Sequence, residues 1–312
     1  MYKINFIKDF LKNHNCGIMF HHFHRSNKKI IFKGSFSEKD FENLIYNIGP
    51  EKIVSPKEFF KNVKDSRDEK KYCITFDDGL KSQFEVALPI LNKFKIKAFW
   101  FVYTSVFEEY TFDNEVIKYL INKHYPNFKK FVEVLKSKLF ELFPKKKYKF
   151  NKSHDKHIRF FSEPEREYRF IRDKYLNKYE YTLLIKEVLL KQRDLSLIKK
   201  KLFLDEKDLK FLSRRGHYIG LHSHSHPMNI TKLNFDQQME EYKKCKEKIN
   251  SLTSSNIVCM SHPNNYYNND TLKALKLLGI KFGFHSQKFE KMNSLLEIPR
   301  IDCSYLSNVK IK

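Results

Sequence analysis

At 312 residues, with 41% apolar residues that include 30 Phe and 17 Tyr, the chain can bury a sizeable core, and its composition excludes a disordered protein. Its 60 Lys and Arg against 37 Asp and Glu give a net charge of +23, but the lysines are spread along the chain and no nucleic-acid module is recognisable. Nucleic-acid binding is therefore not expected, and the excess reads as coding bias and solubility, with weak attraction to an anionic substrate or membrane surface.

In chain order, the first segment, MYKINFIKDFLKNHN, lacks the uninterrupted apolar stretch of a signal peptide. Phe6, Phe10 and Leu11 fit a packed helix better than a membrane-surface one. A buried strand is expected over 16–23. Helices are expected over 38–48 and 56–63, with Ser37 and Ser55 as their start signals. A second strand is expected over 72–76, a helix over 82–94 despite Pro89, and a third strand over 98–103. The most apolar segment, IKAFWFVYTSVF, has 12 residues and is too short to span a bilayer.

From 108 to 204 the pattern becomes helical, with helices over 128–143 and 179–192 and a basic loop over 145–156, and a further helix over 206–212 just beyond it; the block reads as an insertion. Alternation then resumes: strand 218–221, helix 236–251, strand 257–260, helix 270–278 ended by Gly279, and strand 282–284. Strand–helix alternation of this kind predicts an α/β fold with a mostly parallel sheet, one domain over 1–312 carrying the insertion. Five cysteines (Cys16, Cys73, Cys245, Cys259 and Cys303) are odd in number and lack CxxC spacing. They argue for a reducing compartment and against a disulfide framework or a cysteine zinc site. A cytoplasmic protein is expected, with weak association at the inner membrane face as its outer limit.

Two stretches carry chemistry. KYCITFDDGLK, residues 71–81, ends a buried strand in two adjacent acids, each of which makes the other costlier to ionise unless a positive partner is near. GLHSHSHPMN, residues 220–229, sets His222 and His226 on one turn, from which both can present a ring nitrogen to one divalent cation. A carboxylate from Asp77 or Asp78 would complete a two-histidine, one-carboxylate set, and the remaining acid would be free to act as a general base. His224, between them, is expected to face the other way.

TFDDG at 75–79 together with HSHSHP at 222–227 resembles the polysaccharide deacetylase family, the NodB homology domain of carbohydrate esterase family 4. GIMFHHF, LPILNKFKIKAFWFV and IPRID resemble further segments of that family, so the resemblance covers about 17–107 and 211–303. It implies a distorted (β/α) barrel with its site at the C-terminal ends of the strands. Carried over by motif, Asp77 is the catalytic base, and Asp78, His222 and His226 hold one metal ion, zinc in most of the family. The implied reaction is hydrolysis of an N-acetyl or other acyl group on an amino sugar of a surface polysaccharide or its lipid- or nucleotide-linked precursor.

The chain also departs from the family. SHPNNYY at 261–267 keeps Pro263 but has Asn264 and Asn265 where the family has an aromatic residue and glycine. The backbone of Asn264 remains a candidate oxyanion donor, and His22 a candidate for lining the substrate cleft. No motif arginine stands near Pro263, and Arg300 of IPRID is the candidate to orient the base. The late histidine that serves the family as general acid has no counterpart; His285, His262, His21, His22 or a water are the alternatives. These losses keep open a second reading, a catalytically impaired NodB-like barrel that binds glycan in a polysaccharide pathway.

Overall fold

The structure is a computed structural model and describes residues 11, 14–25, 27, 31–65, 70–108, 114–151, 161–189, 195–286 and 292–305. Phe6 and Phe10, and parts of the stretches 145–156 and 179–192, lie outside them. The chain divides into two compact units, Met1–Thr111 with Lys200–Lys312, and Phe112–Lys199, the latter falling inside the block set apart in the sequence.

The first unit is a closed barrel of seven strands, all parallel: β1 (Cys16–Phe20), β2 (Tyr72–Phe76), β3 (Phe99–Val102), β4 (Tyr218–Leu221), β5 (Cys259–Ser261), β6 (Phe282–His285) and β7 (Ile298–Asp302). Closure comes from β1 pairing with β7 in the register Gly17↔Arg300 while its other edge pairs with β2 as Gly17↔Cys73. This is the (β/α) barrel that the motifs imply. The expected strand over 16–23 ends at Phe20, so His21 and His22 belong to the loop above the barrel. IPRID forms β7, although Pro299 and Arg300 give it no apolar run; the proline sits at its second position, opposite His285 of β6.

Side chains alternate between two cores, as the pleat requires. Cys73, Phe99, Phe101, Cys259, Phe284 and Ile298 fill the inside, and the helix Pro56–Lys64 plugs the N-terminal mouth with Phe59 and Phe60. Phe60 stacks on Phe282 at 3.6 Å between ring centroids. The other face of each strand packs against the surrounding helices through residues such as Ile18, Phe76, Trp100 and Leu221. Ser37 and Ser55 cap their helices, accepting from the N–H groups of Asp40 and Glu58. The helix expected over 82–94 opens as a π-helical turn, Gln83–Ala87, and becomes α-helical at Leu88–Lys93, with Pro89, which lacks the N–H of a regular helix, directly after the π-helical turn.

The second unit is helical. Asn114–His124, Phe128–Leu142, Glu163–Phe170 and Lys178–Leu189 bury one apolar face each, with Val116, Leu120, Phe131, Leu135, Leu184 and Ile185 in the shared core. Tyr168 and Tyr181 share a hydrogen bond of 2.7 Å between their hydroxyls there. Among the described residues, no helix is long and apolar enough to cross a membrane.

Candidate active site

The first acids of the site owe their geometry to a backbone reversal. Asp77 N–H still donates to Phe20 C=O at 3.1 Å, extending the β1–β2 ladder by one residue. Asp78 (φ 71°) and Gly79 (φ 61°) then enter the left-handed region. A Cβ at Gly79 would stand 2.2 Å from a Val102 methyl, so the second of these positions has to be glycine. The left-handed step at Asp78 costs of order 1–3 kcal/mol. It sends two neighbouring carboxylates to different partners.

Asp77 is buried and points at Arg300, whose Nη1 and Nη2 donate to Oδ1 and Oδ2 at 2.6 and 2.8 Å. Ser261 Oγ donates to Oδ1 at 3.3 Å. Burial favours the neutral acid, but the Arg300 guanidinium, with help from His222, outweighs it and holds Asp77 below the ordinary carboxylate value. Asp78 Oδ1 lies 3.4 Å from His222 Nε2 and 3.4 Å from His226 Nε2. Burial opposes its charge too, yet the His222 hydrogen bond and the charges of His226 and His21 hold it well below the usual range. His222, against the same burial effect, is raised by the two acids it faces. The cluster is built to share positive charge.

The histidine loop is equally constrained. His222 continues from β4, its N–H donating to Val102 C=O at 3.1 Å, and Ser223 (φ 62°) and His226 (φ 51°) again take left-handed backbone. Glu241, on the helix Phe235–Thr253, accepts from His224 N–H (3.0 Å), Ser225 N–H (2.8 Å) and the Ser225 hydroxyl (2.7 Å). His224 turns away from its neighbours, with Nδ1 2.9 Å from Thr104 Oγ1 and Nε2 3.5 Å from Glu108. His226 packs its ring on Tyr103 at 5.1 Å.

The donor set fits a divalent cation. The ligand atoms of Asp78, His222 and His226 all lie within 4.8 Å of one another. Ligands about 2.0–2.2 Å from a tetrahedral ion stand about 3.4 Å apart, which is the separation of Asp78 from each imidazole nitrogen. The Ser261 carbonyl accepts from His222 Nδ1–H at 3.0 Å, so that Nε2 is the nitrogen that would give its lone pair to a cation.

Other candidates from the sequence are distributed unevenly. Arg300 reaches Asp77 from β7 by crossing over Gly17, where a Cβ would meet Arg300 Cγ at 2.8 Å and Cδ at 3.1 Å. Asn264 lies in the turn Pro263–Asn265 with φ 50°, and its Nδ2 reaches the Pro227 carbonyl at 3.4 Å, so the turn abuts the histidine loop. His22 stacks on Phe32 at 4.3 Å, whereas the adjacent His21 is the one whose charge acts on Asp77 and Asp78. His262 is buried, donates Nε2–H to Leu296 C=O at 2.9 Å and is pushed down by burial to about 3. His285 is buried at the end of β6. Ser261 and Glu241 were not singled out by sequence reasoning. Ser261 had a weak signal, its place beside Pro263, and Glu241, one acid among many on a helix, had none.

The sequence matches the family model described as Polysaccharide deacetylase over residues 64–140 and 145–283, a span that also runs through the helical unit and leaves out β1 and β7. No curated protein matches it. Among solved structures it is similar to the Streptococcus pyogenes deacetylase PplD in complex with acetate, at 17% identity and TM-score 0.55, covering 92% of this chain and 90% of that one. It is also similar to a de-N-acetylase from Aggregatibacter actinomycetemcomitans (11% identity, TM-score 0.53, 92% and 93% covered). IcaB from Ammonifex degensii gives 12% identity, TM-score 0.53, and 93% and 92% covered. At these identities the likeness is one of fold, and the family rests on the sequence match and the barrel together. The chain belongs to the polysaccharide deacetylase family.

Proposed function

We propose that this chain removes the N-acetyl group, or another small acyl group, from an amino sugar of a surface polysaccharide or its lipid- or nucleotide-linked precursor, using one divalent cation, zinc in this reading. One observation carries it: adjacent acids have separate partners, Asp78 with His222 and His226 at 3.4 Å, Asp77 with Arg300 at 2.6 and 2.8 Å. Asp78, His222 and His226 would hold the cation. Bound there, it would supply Lewis acidity, lowering the pKa of water from 15.7 towards about 7 and polarising the acyl carbonyl.

The chain's own residues do the rest. Arg300 keeps Asp77 ionised, and Oδ2 of that carboxylate, 4.0 Å from His222 Nε2, takes the proton of the attacking water. Ser261, hydrogen-bonded to both Asp77 and His222, keeps the base and the ligand in register. The Asn264 backbone N–H is the proposed oxyanion donor, and removing such a donor typically costs about 10²–10³ in rate. His22 is the proposed substrate contact on the opposite loop. Products are a sugar amine and acetate. We assign the chain to the cytoplasm, with at most weak contact with the inner membrane face, on the support of five thiols that are all free and buried.

A second reading, a catalytically impaired glycan-binding barrel, draws on one observation: His262, a candidate acid, is buried, committed to Leu296 and held neutral. The purified protein with added zinc should release acetate from at least one member of a panel of N-acetylhexosamine glycans and nucleotide- or lipid-linked sugars, with the product lighter by one acetyl group in mass spectra. Binding of a panel member without any loss of acyl mass would favour the second reading.

A further inference from the structure

Gln83 is fully buried, and its side chain hydrogen-bonds to backbone atoms. Its amide stitches two loops. Nε2 donates to the Asp77 carbonyl at 2.6 Å and to the His21 carbonyl at 2.9 Å, and Oε1 accepts from Leu80 N–H at 3.2 Å. The orientation of the amide is fixed, because the opposite flip would set Oε1 against two carbonyl oxygens. Gln83 opens the π-helical turn that follows the acid pair, an irregularity that brings its side chain back over the loop.

We propose that Gln83 is the positioning residue that separates the tasks of Asp77 and Asp78. The peptide it holds, through the Asp77 carbonyl, is the one that joins the two acids. Its plane sets the left-handed φ of Asp78 and thereby aims one carboxylate at Arg300 and the other at the two imidazoles. The second hydrogen bond ties the same point to the loop after β1, beside the histidine whose charge acts on both acids. Without the amide, the buried Asp77 carbonyl and the part-buried His21 carbonyl lose this donor, and the peptide is free to rotate toward ordinary backbone geometry, drawing Asp78 off the imidazoles. This inference rests on the cation-site reading above.

The test uses Gln83→Met, which keeps the volume and removes both donors, beside Ser82→Ala, which removes the neighbouring Ser82–Phe23 tie at 3.2 Å between the same loops without touching Asp77. Zinc and cobalt(II) affinities of the metal-free proteins are measured by titration calorimetry, and the cobalt visible spectrum reports ligand geometry. Gln83→Met should bind both ions about 10–100-fold more weakly with an altered cobalt spectrum and lower kcat at similar KM, while Ser82→Ala stays near wild type. Unchanged affinity, spectrum and kcat in Gln83→Met, or an equal loss in Ser82→Ala, would overturn the inference while leaving the proposed reaction standing. Failure of the wild type itself to bind either ion would instead remove the underlying reading. If Gln83→Met does not fold, the Gln83 side-chain amide protons of the wild type decide: slow deuterium exchange supports the role, and exchange as fast as that of a solvent-exposed glutamine would overturn it.

Discussion

Asp77 and Asp78 can both stay ionised although they are adjacent and buried, because the left-handed backbone between them gives each its own cation-like partner. For Asp77 that partner is Arg300, and the pair is worth most when considered as a pair. Removing the guanidinium leaves a buried carboxylate without compensation, so Arg300→Met should destabilise the fold by about 3–5 kcal/mol in chemical denaturation at pH 7. Adding Asp77→Asn to that variant should recover much of the loss, since the orphaned charge is then gone. An unchanged denaturation midpoint in Arg300→Met would contradict this. The acid pair and the His-x-x-x-His turn were legible in the sequence because each is a local pattern with its own chemistry. Arg300 is reachable from the sequence only through the likeness of IPRID to a family segment, and Ser261 and Glu241 carry no such mark. Their partners lie 223, 184 and 17 residues away, at separations that spacing arguments do not cover.

At the scale of elements, β1 and β7 determine whether Arg300 can reach its target. Gly17 pairs with Arg300 across the closing seam, and the arginine stem fills the space a side chain would take. That stem cannot yield freely, because its head is pinned by two hydrogen bonds to Asp77. Gly17→Ala should therefore cost about 1–3 kcal/mol through overpacking, and should lower kcat by displacing Asp77, the proposed base. A crystal structure of the variant with the Arg300–Asp77 pair intact, together with wild-type stability, would refute the steric account. The strand–helix alternation of the barrel could be read ahead of the structure from hydrophobic runs and cap residues. β7 could not be read that way, because Pro299 and Arg300 break the apolar run that marks a strand. The end of β1 was misplaced for the opposite reason: HHF continues the run beyond Phe20, although the chain has already left the ladder.

At the scale of the whole molecule, the barrel carries buried neutral histidines away from the acid cluster. His217 is 3% exposed, accepts at Nδ1 from Ala98 N–H (3.1 Å) and Trp100 Nε1–H (3.2 Å), and is held down by burial to about 4. Its folded value lies below the 6.5 of a free imidazole, so between those pH values the unfolded chain binds a proton that the folded chain refuses. Stability should thus be full above pH 6.5 and fall by up to about 3 kcal/mol as the pH drops towards 4. His217→Asn, which keeps an acceptor near the Nδ1 position but cannot titrate, should melt with a visibly shallower pH dependence over that window. Parallel melting profiles for variant and wild type would show that the acid sensitivity originates elsewhere. The helical unit Phe112–Lys199 has its own apolar core, and it falls in the part of the sequence where strand–helix alternation gives way to helix alone.

Whether the two acids have different jobs is decided by metal content and acetate release measured side by side on the wild type, Asp77→Asn and Asp78→Asn. One tightly held divalent ion and acetate release are expected in the wild type, a retained ion without acetate release in Asp77→Asn, and loss of the ion in Asp78→Asn. An ion lost from Asp77→Asn, or held undiminished by Asp78→Asn, would contradict this division of jobs.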